Sequence, residues 1–142
     1  MTDSPCVMRE IARLRELTFR LVGEGTGLPR DMDRYDRTYL QLVLWDDIEH
    51  EIAGAYRLGR AADLIRDSGP EGLYTHSLFS FGPGMQRFLD EGLELGRSFV
   101  QPKYQNKYAL DYLWSGLGAY LRHHPEIRYL FGPASMSRLY GH

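Results

Sequence analysis

Two charges sit where a protein interior tolerates neither alone. Glu94 and Arg97 fall inside the apolar stretch Leu93 to Val100 of EGLELGRSFVQPKYQNKY, residues 91–108. Burying either one unpaired costs several kcal/mol, so a core strand that holds both must pair them or use them. A carboxylate emerging from an apolar strand suits a general base. The strand runs into a Pro-interrupted loop that holds the only two lysines of the chain, Lys103 and Lys107, against fifteen arginines. A basic loop at the carboxyl end of a strand, followed by a helix, is where α/β proteins commonly grip phosphate. A third interior charge, Arg57 in Ile52 to Leu58, needs a carboxylate, and Asp33 or Asp36 of DMDRYDR would serve. As a charge run alone, that segment reads equally well as a solvated loop.

Other chemistries lack support. Neither His50 nor His76 has a partner at metal-ligand spacing, and His123 and His124 end a helix where a cation complements the dipole, so no metal is expected. Ser135 and Ser137 lack a Gly-x-Ser-x-Gly context, which argues against a serine hydrolase. Cys6, the single cysteine, excludes an internal disulfide and lies too near the start to support a covalent thiol mechanism. The glycines of Gly23 to Gly27 follow a helix rather than a strand and read as a connector, not a phosphate loop.

The elements that must position these residues follow from periodicity. Apolar positions from Val7 to Leu21 fall on one helical side, and Leu110, Leu113, Trp114, Leu117 and Leu121 form the stripe of a helix over about 109–123 that Pro125 stops. The runs 39–45 and 51–59, joined by Asp46, Asp47 and a short polar bridge, predict an antiparallel hairpin. A short helix is expected at 61–66, an extended aromatic segment at 73–81, a short helix at 85–89, a strand at 93–100 and a last strand at 127–131. A hairpin plus one strand-helix-strand crossover predicts a single α/β domain over 1–142, a mixed sheet with helices on both sides. Strict alternation would send Glu94 and Arg97 to opposite faces, so their joint use requires a bulge, which Gly96 would mark.

At 142 residues the chain forms one domain. A formal net charge of −2 with both signs interspersed gives no case for nucleic acid. With no 18-residue apolar run and no signal-like start, the expected location is cytoplasmic.

Seven stretches, LRELTFR, DMDRYDR, EIAGAYRLG, LYTHSLF, LELGRSFVQPKY, LWSGLGAYL and YLFGPAS, together resemble the GNAT superfamily in its long-chain N-acyltransferase branch. That branch holds ornithine-lipid and other N-acyl amino acid synthases, with acyl-homoserine-lactone synthases as relatives. The resemblance implies a GNAT-like fold that moves a fatty acyl group from a thioester to the amine of an amino acid such as ornithine by direct attack. It implies an acceptor cleft lined by Arg15, Phe19, Asp33, Asp36 and Arg57, with Glu94 as proton acceptor and Arg97 beside it. Strand amides near Phe99 and Val100 would bind the pantetheine and stabilise the oxyanion.

The commoner acetyl-CoA enzymes of the superfamily place two glycines in the strand-to-helix turn; here the corresponding run Gln105, Asn106, Lys107, Tyr108, Ala109, Leu110 has none. Side chains at Tyr108 and Leu110 would hold a pyrophosphate away. The expected donor is therefore an acyl-phosphopantetheine on acyl carrier protein in preference to acyl-CoA, with Lys103, Asn106 and Lys107 at its phosphate or at the carrier's acidic face. An aromatic residue usual after Phe19 in the lactone synthases is replaced by Gly25. A lactone synthase and a non-catalytic acyl-chain or carrier-binding module remain the alternatives. Against the superfamily pattern the chain reads as incomplete at both ends, so a homodimer or strand exchange is expected to cover the sheet edge. The lipid product suggests peripheral contact with the inner membrane face.

Overall fold

In the computed structural model of the protein, residues 4–105 and 108–133 are described. Asn106, Lys107, Ser135 and Ser137 lie outside them. Helix α1 (Pro5–Leu21) opens the chain, with proline at the first turn where its missing N–H costs nothing. Strands β1 (Leu40–Asp46) and β2 (Glu51–Arg60) form the predicted antiparallel hairpin, followed by α2 (Ala61–Ser68) and the short α3 (Gln86–Asp90). Strand β3 (Gly92–Val100) pairs antiparallel with β2. Helix α4 (Ala109–His123) then returns the chain to β4 (Tyr129–Phe131), which lies parallel to β3. The four strands make one mixed sheet in the order β1-β2-β3-β4.

Alternating side chains assign a helix to each face of the sheet. Ile11 and Leu14 of α1 pack with Ile52, Ala55 and Phe99 on one side. Leu113 and Leu117 of α4 pack with Tyr56, Leu58 and Leu93 on the other. A third cluster, of Tyr35, Tyr39, Ala61, Leu64, Leu73 and Leu89, ties α2 and α3 to the start of the hairpin.

Two expectations need correction. Residues 73–81 are not extended: they fold into a 3₁₀ turn at Thr75–Ser77 after another at Pro70–Gly72. The cause is tertiary, because the Tyr74 N–H is taken by the Tyr39 hydroxyl and the Thr75 N–H by Glu94, leaving neither for a ladder. The last strand is also shorter than predicted, three residues instead of five.

The loop after α1 is clasped by a buried acid. Glu16 accepts hydrogen bonds from the Thr26 N–H (2.9 Å), the Thr26 hydroxyl (2.8 Å), the Gly27 N–H (2.8 Å) and the Arg20 guanidinium (2.9 Å). Burial pushes the Glu16 carboxyl up, but these donors outweigh it and lower the pKa to about 2. A folded pKa below the ordinary 4.5 means that the clasp stabilises fully above that pH and is lost as pH falls toward 2. Glu16→Gln is expected to flatten this limb of the stability profile. Urea midpoints of both proteins across that window measure it, and identical slopes would contradict the assignment.

Candidate active site

The chemistry-bearing residues converge on the face of the sheet that α1 covers, and a bulge in β3 brings them there. Gly96 pairs with Arg57 and Phe99 with Ala55, so Arg97 and Ser98 together oppose the single residue Tyr56. The bulge shifts the register by one, and Glu94 and Arg97 both meet groups on the α1 side. Gly96 flanks the bulge as a normally paired residue. The left-handed position is Arg97 itself, at φ 45°. For a side chain this conformation costs roughly 1–2 kcal/mol, a strain that structures keep mainly where function uses it.

Three arginines and three aspartates follow from this face outward. Arg15, from α1, is fully buried; its guanidinium donates to Asp36 Oδ1 (2.8 Å) and Gln41 Oε1 (3.0 Å). Burial pulls the Arg15 guanidinium below its ordinary range, with Asp36 offsetting part of that. Arg57, equally buried, donates to Asp33 Oδ1 (2.7 Å) and Asp36 Oδ1 (3.3 Å) and lies within 5.2–5.8 Å of the rings of Tyr35, Tyr39 and Tyr74. Both expected partners of Arg57 are thus used. Asp33 and Asp36 also close a reciprocal cap on the 3₁₀ turn Arg34–Arg37, which fixes the loop that carries them. Burial raises the Asp36 carboxyl, but Arg15 and the Asp33 N–H prevail and its pKa is lowered.

Arg97 takes a partner that the sequence did not single out, Asp31, with Nη1 3.4 Å from Oδ2. Asp31 is buried, and desolvation raises its pKa. The Arg97 guanidinium lies 6.0 Å from the Phe19 ring and 5.5 Å from the Tyr74 ring.

Glu94 is buried beneath a lid of neutral donors. Its Oε1 accepts from the Tyr39 hydroxyl (2.7 Å), and its Oε2 from the Thr75 hydroxyl (2.6 Å) and N–H (3.1 Å). Burial pushes the Tyr39 phenol far above its ordinary value, with Glu94 adding to the shift, so Tyr39 stays a proton donor. No arginine pairs with Glu94 among the described residues. Tyr39 and Thr75 were illegible beforehand, because a hydroxyl in an aromatic or turn segment leaves no pattern.

A cleft of about 790 Å³ opens beside the bulge. Gly96, Arg97 and Ser98 form its floor, Phe19 and Tyr74 one wall, Tyr56 and Trp114 the other. Phe19 packs with the α1-side core and Tyr56 with the α4-side core, so the cleft passes the open edge of β3 from one face of the sheet to the other. The pairing of β4 with β3 ends at Glu94 and Phe131, and among the described residues no strand pairs with that edge of β3 beyond this point. Arg97 and Phe19 line the cleft, whereas Arg15, Asp33, Asp36, Arg57 and Glu94 stand behind it.

The expected phosphate grip is differently occupied. Lys103 forms an ion pair with Glu51, and the Tyr104 hydroxyl bridges Asp46 (2.6 Å) and Glu51 (2.7 Å). The Glu51 hydrogen bond raises the lysine's pKa. Phe99 is buried in the ladder opposite Ala55, and the Val100 carbonyl accepts from the Gln105 side chain (2.9 Å). No group of three or more potential metal ligands occurs among the described residues, and none of their helices is long and apolar enough to cross a membrane.

A family model described as an acetyltransferase (GNAT) domain matches residues 14–115. A glycine N(alpha)-acyltransferase of Bacteroides thetaiotaomicron is 42% identical over 146 residues, covering 94% of this chain and 43% of that protein. Another from Phocaeicola vulgatus is 42% identical, covering 94% and 45%. An L-ornithine N(alpha)-acyltransferase of Rhizobium meliloti is 32% identical, covering 94% and 46%. The chain therefore spans less than half the length of these relatives. No solved structure gives a significant match. With the matched segment running from α1 into α4 and carrying the bulge of β3, the chain belongs to the GNAT acyltransferase family.

Proposed function

We propose that this chain carries the acyl-transfer site of an amino acid N-acyltransferase, which moves a fatty acyl group from a thioester donor to an α-amine. The observation that carries this reading is the cleft at the open edge of β3, which joins an aromatic wall to a charged face. A donor arm and an amine can approach it from opposite sides of the sheet. The named activities of the relatives, on glycine and on L-ornithine, give the acceptor class.

In this mechanism the neutral amine attacks the thioester carbonyl directly. The tetrahedral oxyanion is held by outward amides of β3 near Phe99 and Val100, and collapse expels the thiolate. Glu94 stands behind the cleft, so the proton leaving the amine reaches it through water and the Thr75 hydroxyl, which already donates to it. Arg15, Asp33, Asp36 and Arg57 hold the acceptor side of the cleft in shape. Only Arg97 and Phe19 of the acceptor-side set touch the substrate.

The donor we assign is a phosphopantetheine arm on acyl carrier protein, in preference to acyl-CoA. Support comes from Tyr108 and Leu110, which stand where the acetyl-CoA enzymes carry glycine, and from Asn106 and Lys107 in the same loop, whereas Lys103 would reach a phosphate only by leaving Glu51. Thiol release from long-chain acyl carrier protein, long-chain acyl-CoA and acetyl-CoA, each with glycine or ornithine, tests both parts. Carrier-bound long chains are expected to turn over fastest. Equal use of acetyl-CoA would overturn the donor assignment, and no amine-dependent release from any thioester would overturn the function.

A further inference from the structure

We infer that Arg97 is the residue that recognises the acceptor, by binding its α-carboxylate. The inference rests on the reading above that the acceptor is an amino acid, and it adds what distinguishes such an acceptor from any other amine. Glycine offers a binding site two groups only, an amine that must stay free to attack and a carboxylate. Ornithine shares both.

Three arginines stand near the cleft, and two are spent. The side chains of Arg15 and Arg57 are 0% and 1% exposed and donate to Asp36, Gln41 and Asp33, so neither can turn to a ligand without leaving a carboxylate bare. Arg97 differs in exposure and in the strength of its pairing. Its side chain is 25% exposed, it lines the cleft, and its guanidinium makes no hydrogen bond to any described residue. Its contact with Asp31, at 3.4 Å, is an ion pair without hydrogen-bond geometry. A guanidinium has five donors in a planar fork that matches a carboxylate, so Arg97 retains the capacity for a two-pronged bond.

Position favours the same ligand. Asp31 sets the charge from behind, and Phe19 and Tyr74 flank the guanidinium. The left-handed backbone of the bulge aims this side chain, since normal pairing would have sent it to the α4 face. The donor's phosphate is a poorer candidate for Arg97. The loop at Gln101 begins four residues on, roughly 13 Å along a strand at about 3.3 Å per residue. Arg97 is thus placed at the reacting end of the donor arm.

N-dodecanoylglycine and its uncharged analogue N-dodecanoylglycinamide separate the possibilities, because the shared tail fills the apolar cleft and only the carboxylate differs. Calorimetric titration of the folded wild type is expected to show at least tenfold tighter binding of the acid. Arg97→Gln should abolish that preference while leaving the amide's affinity within about twofold. Arg97→Lys, which keeps the charge and loses the fork, should fall between. Thermal melting of each variant checks folding. Equal affinities in the wild type, or a preference that survives Arg97→Gln, would overturn the inference while leaving the acyltransferase reading intact. Failure of the wild type to bind either probe would overturn both.

Discussion

Replacing Glu94 by Gln is expected to lower turnover of an acyl thioester with an amino acid by roughly 10²–10⁴-fold, the range that a positioned general base contributes. Steady-state rates of the two proteins with the same thioester and amino acid check it. Glutamine also disturbs the Thr75 and Tyr39 hydrogen bonds, because its amide end donates where both oxygens now accept. Thr75→Ala disturbs the same network while keeping the carboxylate. It should therefore lose rate through the interrupted relay, but by less than Glu94→Gln, because the proton acceptor is still present. A Glu94→Gln protein that folds and turns over within threefold of wild type would move the proton acceptor elsewhere.

The second large effect concerns stability. Asp36→Ala is expected to cost about 3–5 kcal/mol, because it strips the buried Arg15 guanidinium of its paired carboxylate and leaves the buried Arg57 with Asp33 alone. Urea unfolding reads this as a midpoint lower by roughly 2–3 M for a slope near 1.5 kcal/mol/M. Arg13→Ala is the control. It breaks the exposed pair with Glu10 on α1 and should cost no more than about 1 kcal/mol. The contrast follows from solvent alone, since water replaces the partner in one case and cannot reach it in the other. Equal midpoints for the two variants would contradict the view that Arg15, Arg57 and Asp36 form one buried unit.

Much of the fold was legible because it obeys a period. The apolar stripes of α1 and α4 and the alternation in the hairpin carry their own geometry, and the three-residue spacing of Glu94 and Arg97 demanded a bulge. Gly96 was the natural residue to bear it, yet the positive φ falls on Arg97, where no propensity argument would put it. Residues 73–81 read as extended because aromatic residues favour strands, while hydrogen bonds from distant Tyr39 and Glu94 decide their turn.

The site divided along the same line. Arg57 declared itself as a charge inside an apolar strand, and its partners Asp33 and Asp36 lay within one short motif. Asp31 was one more acid in a loop of mixed charges and became visible only through its contact with Arg97. Lys103 stood out by rarity, but rarity carries no information about partners, and Glu51 takes its charge. Glu94 was expected either to meet an arginine or to face the acceptor. Instead it is bonded by hydroxyls and one amide, a solution to burial that needs no opposite charge.

The most direct measurement is a stoichiometric one: this chain, a long-chain acyl thioester and glycine, with thiol release and the mass of the acylated product followed together. The expected result is N-acylglycine formed one-to-one with free thiol, and no thiol released when the amine is omitted. Thiol release that proceeds equally without glycine would mean hydrolysis, and would contradict transfer to an amine at this cleft.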